Sequence, residues 1–245
     1  MSLTTGRGPL GADPAGRFSA PVPAGIVYVE PFPRRVRGLR DGTAVVDSER
    51  VVLVHAPGQP PFYGFPEGDV GEVAAQPLSE VPGYVRVPWE TLDAWYEEDE
   101  QVFGHPRNPY HRIDCLRAHR RLRVELGTTV LVDTTNTLVL HETTLAPRLY
   151  VDRRHVVQGV LTASTTTTYC PYKGTASYWS AIVDGDELTD VAWSYEDPYP
   201  ESAPIRGLLS FYGTKLTVST DLPAAVDLRR GPAADIDVAV AQGES

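Results

Sequence analysis

Residues 164–179 run Ser-Thr-Thr-Thr-Thr-Tyr-Cys-Pro-Tyr-Lys-Gly-Thr-Ala-Ser-Tyr-Trp, and the residue types with the most chemistry in the chain are concentrated there. Cys170 is a candidate nucleophile, because the reactive thiolate forms more readily beside a cation and Lys173 lies three residues on. Lys173 is the stronger candidate. It is flanked by Tyr172 and Gly174, and glycine lets backbone come close to a ligand. Its ammonium could hold a carboxylate or phosphate as a point charge, or form a Schiff base if desolvated. His141 is the candidate base, with Glu142 as its orienter, although neighbours on a strand face opposite sides, which weighs against a triad. Each has a plainer reading: Cys170 as a small buried hydrophobe, and Lys173 as a turn lysine paired with Asp197 or Glu196.

Around this string stand Tyr172, Tyr178, Trp179, Trp193, Tyr195, Phe211 and Tyr212. Large rigid rings with polar tips suit a small-molecule pocket, and they suit a small β core equally well. Trp179, Trp193 and Tyr195 are the candidates for lining a pocket, with Tyr172, Tyr178 and Asp197 completing the ligand-binding set. The hydroxyl run Ser164–Thr168 lacks the glycines and following helix of a phosphate loop, so a strand with one polar face is expected. Six scattered histidines give no zinc spacing, and no metal site is expected. Neither a G-x-S-x-G elbow nor a dinucleotide fingerprint occurs.

The elements that must position these residues read as β, and they read twice. Arg34-Arg35-Val36-Arg37 and Arg120-Arg121-Leu122-Arg123 lie 86 positions apart. At the same offset Val46-Asp47 meets Val132-Asp133, His55 meets His141, Pro61 meets Pro147 and Val70 meets Val156. Thr43–Val46 and Val51–Val54 are expected to form a hairpin around Asp47–Arg50, and 129–132 with 138–140 to repeat it. Phe62–Phe65 and Arg148–Val151 form a further extended pair. Because the first copy keeps the histidine without a cysteine motif, the plainer reading of Cys170 gains support.

Beyond the valines the copies diverge. With Ala94-Trp95 and Ala192-Trp193 as anchors, the second copy holds about twelve extra residues, which include the Cys-Pro-Tyr-Lys-Gly string. The spacing of Trp89, Leu92, Trp95 and Tyr96 after Pro88 predicts a short helix in copy one, although Glu97–Glu100 would crowd the negative end of its dipole. Asp190–Tyr195 alternates like a strand. Five arginines and His119 lie within Arg112–Arg123, after that acidic run. Mutual neutralisation or a solvated linker is the plainer reading, and a phosphate-binding arginine cluster the sharper one.

The string Thr168–Trp179, followed by Asp190-Val191-Ala192-Trp193-Ser194-Tyr195 and Leu209-Ser210-Phe211-Tyr212, resembles the signature of the domain of unknown function 427 family, T-x-C-P-Y-K-G-x-A-x-Y-W and then D-x-A-W-x-Y. The resemblance covers residues 120–215, with 34–110 as a weaker first copy. It implies compact antiparallel units of tent-like shape, small sheets meeting at an angle around a pocket. The family's cataloguing as nucleotidyltransferase-like implies nucleotidyl transfer, for which Glu142, Asp190 and Asp197 would be the carboxylates able to hold magnesium. Copy one lacks the Cys-Pro-Tyr-Lys-Gly string, so any such activity belongs to copy two.

The expected architecture is therefore mainly β: two tandem small antiparallel units with little helix. The divisions are a flexible arm over 1–24, a first, degenerate repeat over 25–117, a second repeat over 118–222 and a loosely ordered tail over 223–245. The 245 residues, 42% hydrophobic and 22% charged, rule out wholesale disorder. A net charge of −10 argues against nucleic acid as a partner. No apolar run spans a bilayer and Met1–Ala20 has no apolar signal core, so no membrane partner and a cytoplasmic location are expected. Two cysteines are too few for a disulfide scaffold. Lys173 and Lys215 are the only lysines, and one lies inside the motif. The expected function is binding of a small polar ligand in an aromatic-lined pocket of the second repeat, with or without its transformation. A nucleotidyltransferase-like enzyme and a non-catalytic interaction module are the alternatives. Cofactor and oligomeric state are left open.

Overall fold

In the computed structural model residues 3–183 and 186–224 are described. The tail expected over 223–245 lies, from residue 225 onward, outside the described residues. The described residues are mainly β, in several antiparallel sheets, with no closed barrel among them. Its N-terminal strands are β1 (Tyr28–Phe32), β2 (Val36–Arg40), β3 (Thr43–Ser48), β4 (Val51–His55), β5 (Phe62–Pro66), β6 (Gln76–Pro77), β7 (Tyr84–Arg86), β8 (Ala94–Glu97) and β9 (Glu100–Val102). The remainder are β10 (Ile113–Ala118), β11 (Leu122–Leu126), β12 (Thr129–Thr134), β13 (Thr137–Glu142), β14 (Arg148–Val151), β15 (Leu161–Cys170), β16 (Gly174–Val183), β17 (Asp186–Tyr195), β18 (Leu209–Phe211) and β19 (Thr217–Thr220).

Two sheets serve each half. The first half has β3-β2-β8-β9 and β1-β4-β5-β7-β6; the second has β12-β11-β19 and β10-β13-β14-β18-β17-β16-β15. Pairings recur at the 86-residue offset: Val36 faces Ser48 as Leu122 faces Thr134, and Tyr28 faces His55 as Asp114 faces His141. The bulge between Gly38 and Leu39 recurs between Val124 and Glu125, and the bridge Val46–Val70 recurs as Val132–Val156.

The hairpins are not the ones expected. β3 and β4 do not pair; β3 pairs with β2, and β4 with β1 and β5. The tight turn is Asp41-Gly42, with φ of 49° and 73°, the left-handed pair that suits the twist of a two-residue hairpin. At Asp47–Arg50 the chain instead rounds a corner between sheets. There the Ser48 hydroxyl accepts from the Arg50 N–H at 3.0 Å and donates to Asp69 at 2.6 Å. Thr134 turns the second corner in the same way, accepting from the Asn136 N–H at 3.1 Å.

The helix expected around Trp89–Tyr96 is also corrected. Only Trp89–Thr91 makes a 3-10 turn, and Ala94–Glu97 is strand β8. The acidic run that would oppose a helix dipole closes a hairpin instead, with Glu98 at φ 51°. Glu97 turns inward, where it is ion-paired to Arg34 and accepts from the Tyr63 hydroxyl at 2.7 Å. Asp190–Tyr195 is strand, as expected.

Trp95 and Trp193 do not occupy equivalent places. Trp95 lies on β8, which pairs with β2, whereas the strand that pairs with β11 is β19. Trp193 lies on β17, between β16 and β18. The second half's extra chain is therefore longer than twelve residues and comprises the meander β15-β16-β17 with the 3-10 segment Pro200–Ile205, which fills the place held by short β6 in the first half. The second half also begins earlier than 118, since β10 pairs along its length with β13. The N-terminal arm is pinned at its start: Thr4 is buried and its hydroxyl donates to the Ala56 carbonyl at 2.6 Å.

Three apolar clusters follow from the alternation along the strands. Trp95, Phe65, Tyr63 and Leu53 centre the first half. Leu131, Val132, Val191 and Phe211 fill one side of the second half. Leu140, Tyr150, Tyr172, Trp193, Tyr195 and Ile205 fill the other. Among the described residues no helix is long and apolar enough to cross a membrane.

Candidate functional site

The Cys-Pro-Tyr-Lys-Gly turn joins β15 to β16, closed by the Lys173 N–H donating to the Cys170 carbonyl at 3.3 Å. Gly174 has φ 91°, and a Cβ there would stand 3.4 Å from the Asp197 carbonyl oxygen. An L side chain in that backbone region is disfavoured. Gly174→Ala is expected to lower stability by roughly 1–2 kcal/mol, read as a lower urea midpoint; an unchanged midpoint would show that the turn relaxes freely.

The turn points Lys173 inward. Its side chain is 8% exposed and its ammonium is ion-paired to Glu142, not to Asp197 or Glu196. Glu142 Oε1 also accepts from His111 Nε2 at 3.0 Å. Burial pushes the Glu142 carboxyl up, but the hydrogen bond from His111 and the Lys173 charge outweigh it and hold it below its ordinary value of 4.5. The His111 ring stacks on Tyr172 at 3.7 Å between centroids, and the Tyr172 hydroxyl accepts from the Asn108 N–H at 3.0 Å. Burial raises the Tyr172 phenol to about 12. Lysine, glutamate and histidine thus form one buried network that ties the motif to residues 108–111, the segment joining the two halves. On its other side that segment touches the first half: the Tyr110 hydroxyl donates to Glu30 at 2.7 Å, and its ring lies 6.1 Å from that of His55.

The expected catalytic set is not brought together. His141 is exposed on the face of β13 opposite buried Glu142, as strand alternation dictates. Cys170 is half-buried and packs against the Tyr172–Trp193–Tyr195 cluster, where Cys115 packs too. Burial pushes the Cys115 thiol up. His55, which matches His141 at the 86-residue offset, is instead buried and bonded to Glu30 at 3.1 Å, and burial lowers its pKa.

The aromatic set divides by the same alternation. Tyr172, Tyr178, Trp193 and Tyr195 belong to the cluster around Lys173, whose ammonium lies 5.9 Å from the Tyr195 ring centre. Trp193 Nε1 donates to the Tyr150 hydroxyl at 3.1 Å, and burial raises the Tyr150 and Tyr195 phenols. Trp179 faces the other way, donating from Nε1 to Ser194 at 2.9 Å under the Arg153 guanidinium. Asp197 is exposed and paired with Arg206 at 2.7 Å, while Glu196 is paired with Arg153. The hydroxyl run forms a strand, as read, with Thr166 donating to Asp190 at 2.8 Å.

Outside the turn, on the far side of Gly174 from the Lys173 ammonium, lies a cleft of about 590 Å³. Tyr169, Tyr199 and Phe103 give it rings; Thr175 and Ser177 give hydroxyls; Glu196 and Asp197 give carboxylates. The Tyr169 and Tyr199 hydroxyls stand 2.9 Å apart, Phe103 packs edge-on to Tyr169 at 5.2 Å, and Arg107 lies 4.6 Å over the Tyr199 ring. Of the expected ligand-binding residues, Asp197 lines this cleft. His111, Tyr169, Tyr199 and Phe103 were not anticipated. Tyr169 lies inside the first motif string and Tyr199 four residues after the second, so both were within sight of the motif; His111 lies in a segment with no motif.

Residues 114–222 match a family model described as Domain of unknown function (DUF427), and this span holds the turn, β11–β19, all of β10 but Ile113, and Glu142. This part of the chain is similar to the DUF427 family. The model's short name is that of a nucleotidyltransferase. The comparison with curated proteins gives no match. The match begins within β10, which agrees with the structural start of the second half, and it excludes His111. The Lys173–Glu142–His111 network is therefore completed from outside the matched span.

Proposed function

We propose that the DUF427 unit binds a small polar ligand in the cleft outside the Cys-Pro-Tyr-Lys-Gly turn, and that the buried Lys173–Glu142–His111 network holds the turn in place. One observation carries this reading: the most specific segment of the sequence forms the wall of a concave site whose rings, hydroxyls and carboxylates converge from β15, β16 and the segment after β17. Its volume lies in the range of small-molecule sites. Rings offer faces, hydroxyls donate and accept, carboxylates accept, and that mixture suits a polyhydroxylated or amine-bearing molecule. Lys173 is a positioning residue here, since its ammonium is committed to Glu142 on the opposite side of the turn. In this reading the chain is two copies of one β unit, the second with the inserted meander that builds the site.

A nucleotidyl-transfer reading has the family model's short name behind it. The residues do not fit a magnesium site: Glu142 is engaged with Lys173 and His111, Asp190 with Thr166, and Asp197 with Arg206. Among the described residues no cluster of three or more His, Cys, Asp or Glu side chains could share an ion. We derive no step through a metal.

Thermal-shift measurements with neutral monosaccharides, small amines and nucleotides with magnesium test the choice. Sugars or amines should raise the melting temperature of the parent protein and fail to do so in Tyr199→Ala. A shift confined to nucleotide with magnesium would overturn the reading in favour of transfer chemistry, and no shift with any of them would overturn ligand binding at this cleft.

A further inference from the structure

The arginine-rich stretch Arg112–Arg123 has a use that the turn cleft does not absorb. Most of its charge is accounted for locally. Arg112 is paired with Asp114 at 2.6 Å, Arg121 with Asp133 at 2.7 Å, and Arg123 with Glu125 and Asp133 at 2.7 and 2.8 Å. Arg120 donates to the Asp221 carbonyl at 3.1 Å. The acidic run Glu97–Asp99 is engaged instead with Arg34, Arg35 and Arg37, so the two runs do not neutralise each other. Arg117 differs: among the described residues it has neither a carboxylate nor a carbonyl partner.

Arg117 follows Cys115 by two positions on β10, so both face the same side, and His119 continues that alternation just beyond the strand. They line a cleft of about 550 Å³ on the β10 edge of the seven-stranded sheet, and its lining shares no residue with the cleft outside the Cys-Pro-Tyr-Lys-Gly turn. Arg154, from the 3-10 turn Arg153–His155, and Asn136 line the same cleft. The one carboxylate in the wall, Asp152, accepts from the backbone N–H of Arg154 at 2.9 Å and stands 3.7 Å from its guanidinium. The floor is the Cys115 thiol and the Tyr150 phenol, with Leu138 and Leu208 as an apolar wall.

We infer that this cleft is a second ligand site, for a small organic anion whose phosphate or carboxylate lies between Arg117 and Arg154 and whose apolar body rests on Leu138 and Leu208. Two planar guanidinium forks lining one cleft fit the oxygens of such a group. In a chain of net charge −10 a locally basic cleft also concentrates anions where the surrounding surface repels them. The apolar wall makes an aryl anion a better ligand than a bare inorganic one.

The test is alkylation of Cys115 by iodoacetamide, followed by peptide-resolved mass spectrometry so that Cys170 is an internal control. Phenyl phosphate and benzoate are the probes, with inorganic phosphate for comparison. The expected result is saturable protection of Cys115 and none of Cys170, with an aryl anion acting at lower concentration than inorganic phosphate. Whichever of phenyl phosphate and benzoate protects at lower concentration identifies the head group. Arg117→Ser and Arg154→Ser, both exposed positions, should each raise the half-protecting concentration about tenfold, the weight of one charge-assisted hydrogen bond. Protection unchanged in both variants, equal protection of Cys170, or no protection by any probe would overturn the inference. The turn cleft is untouched by these variants, so sugar or amine binding there succeeds or fails separately.

Discussion

Lys173→Met is expected to destabilise the protein by about 3–5 kcal/mol, because it leaves the buried Glu142 carboxylate without its cation. For a turn lysine paired with exposed Asp197 or Glu196 the same substitution would cost little. Burial reverses that expectation. His111 remains beside Glu142 and moderates the loss, which places the effect toward the lower end of the range. The companion double variant, Lys173→Met with Glu142→Leu, removes both charges and should recover to within about 1–2 kcal/mol of the parent, the remainder being the acceptor lost by His111. Denaturant unfolding of the two singles and the double gives the coupling directly. Additive losses would show that the two groups do not interact. The same network sets an acid limit. The Glu142 carboxyl is held below 4.5 when folded, so its contribution is complete above that pH and is lost as pH falls through the lowered value. The parent should therefore lose stability on acidification below about pH 4.5 more steeply than the double variant.

Trp95→Ala carries the other large effect, again about 3–5 kcal/mol. Trp95 is 2% exposed, stacks on Phe65 at 6.0 Å and on Trp89 at 5.3 Å, and donates from Nε1 to the Trp89 carbonyl at 3.0 Å. It packs over Gly38, where a Cβ would come within 3.1 Å of the ring and 2.3 Å of Leu92. Glycine on β2 is thus the space that the indole fills, and removing the ring leaves a cavity that neighbouring rings cannot close. Guanidinium unfolding should show the loss in full for alanine and less than half of it for Trp95→Phe. A loss below about 1 kcal/mol for alanine would mean that the first half collapses around the gap.

The β character, the 86-residue offset and the strand at Asp190–Tyr195 were legible because they rest on alternation and composition, which one sequence displays. Pairing partners were not. Asp47–Arg50 looks like a hairpin turn locally, and only the hydroxyls of Ser48 and Thr134 mark it as a corner, while Asp41-Gly42 held the true hairpin signal. The tryptophan anchors failed for a related reason: Ala-Trp followed by tyrosine and acids is a local likeness, and the sheet order places Trp95 and Trp193 on unrelated strands. Within the site, Lys173 and Glu142 were each noticed, but their meeting depends on a turn bringing residue 173 back across β13. His111 lies outside any motif, and only the folded segment between the halves brings it to Glu142. The opposite facing of Tyr178 and Trp179 follows from alternation alone and could have been read in advance.

The most direct test of the account is an amide-resolved NMR titration with the sugar or amine that gives the largest thermal shift. Saturable shifts are predicted at Thr175, Ser177 and Tyr199, around the outer side of the turn. They should vanish in Tyr199→Ala while the spectrum remains that of a folded protein. Saturable shifts centred on some other surface, with Thr175, Ser177 and Tyr199 unmoved, would contradict it.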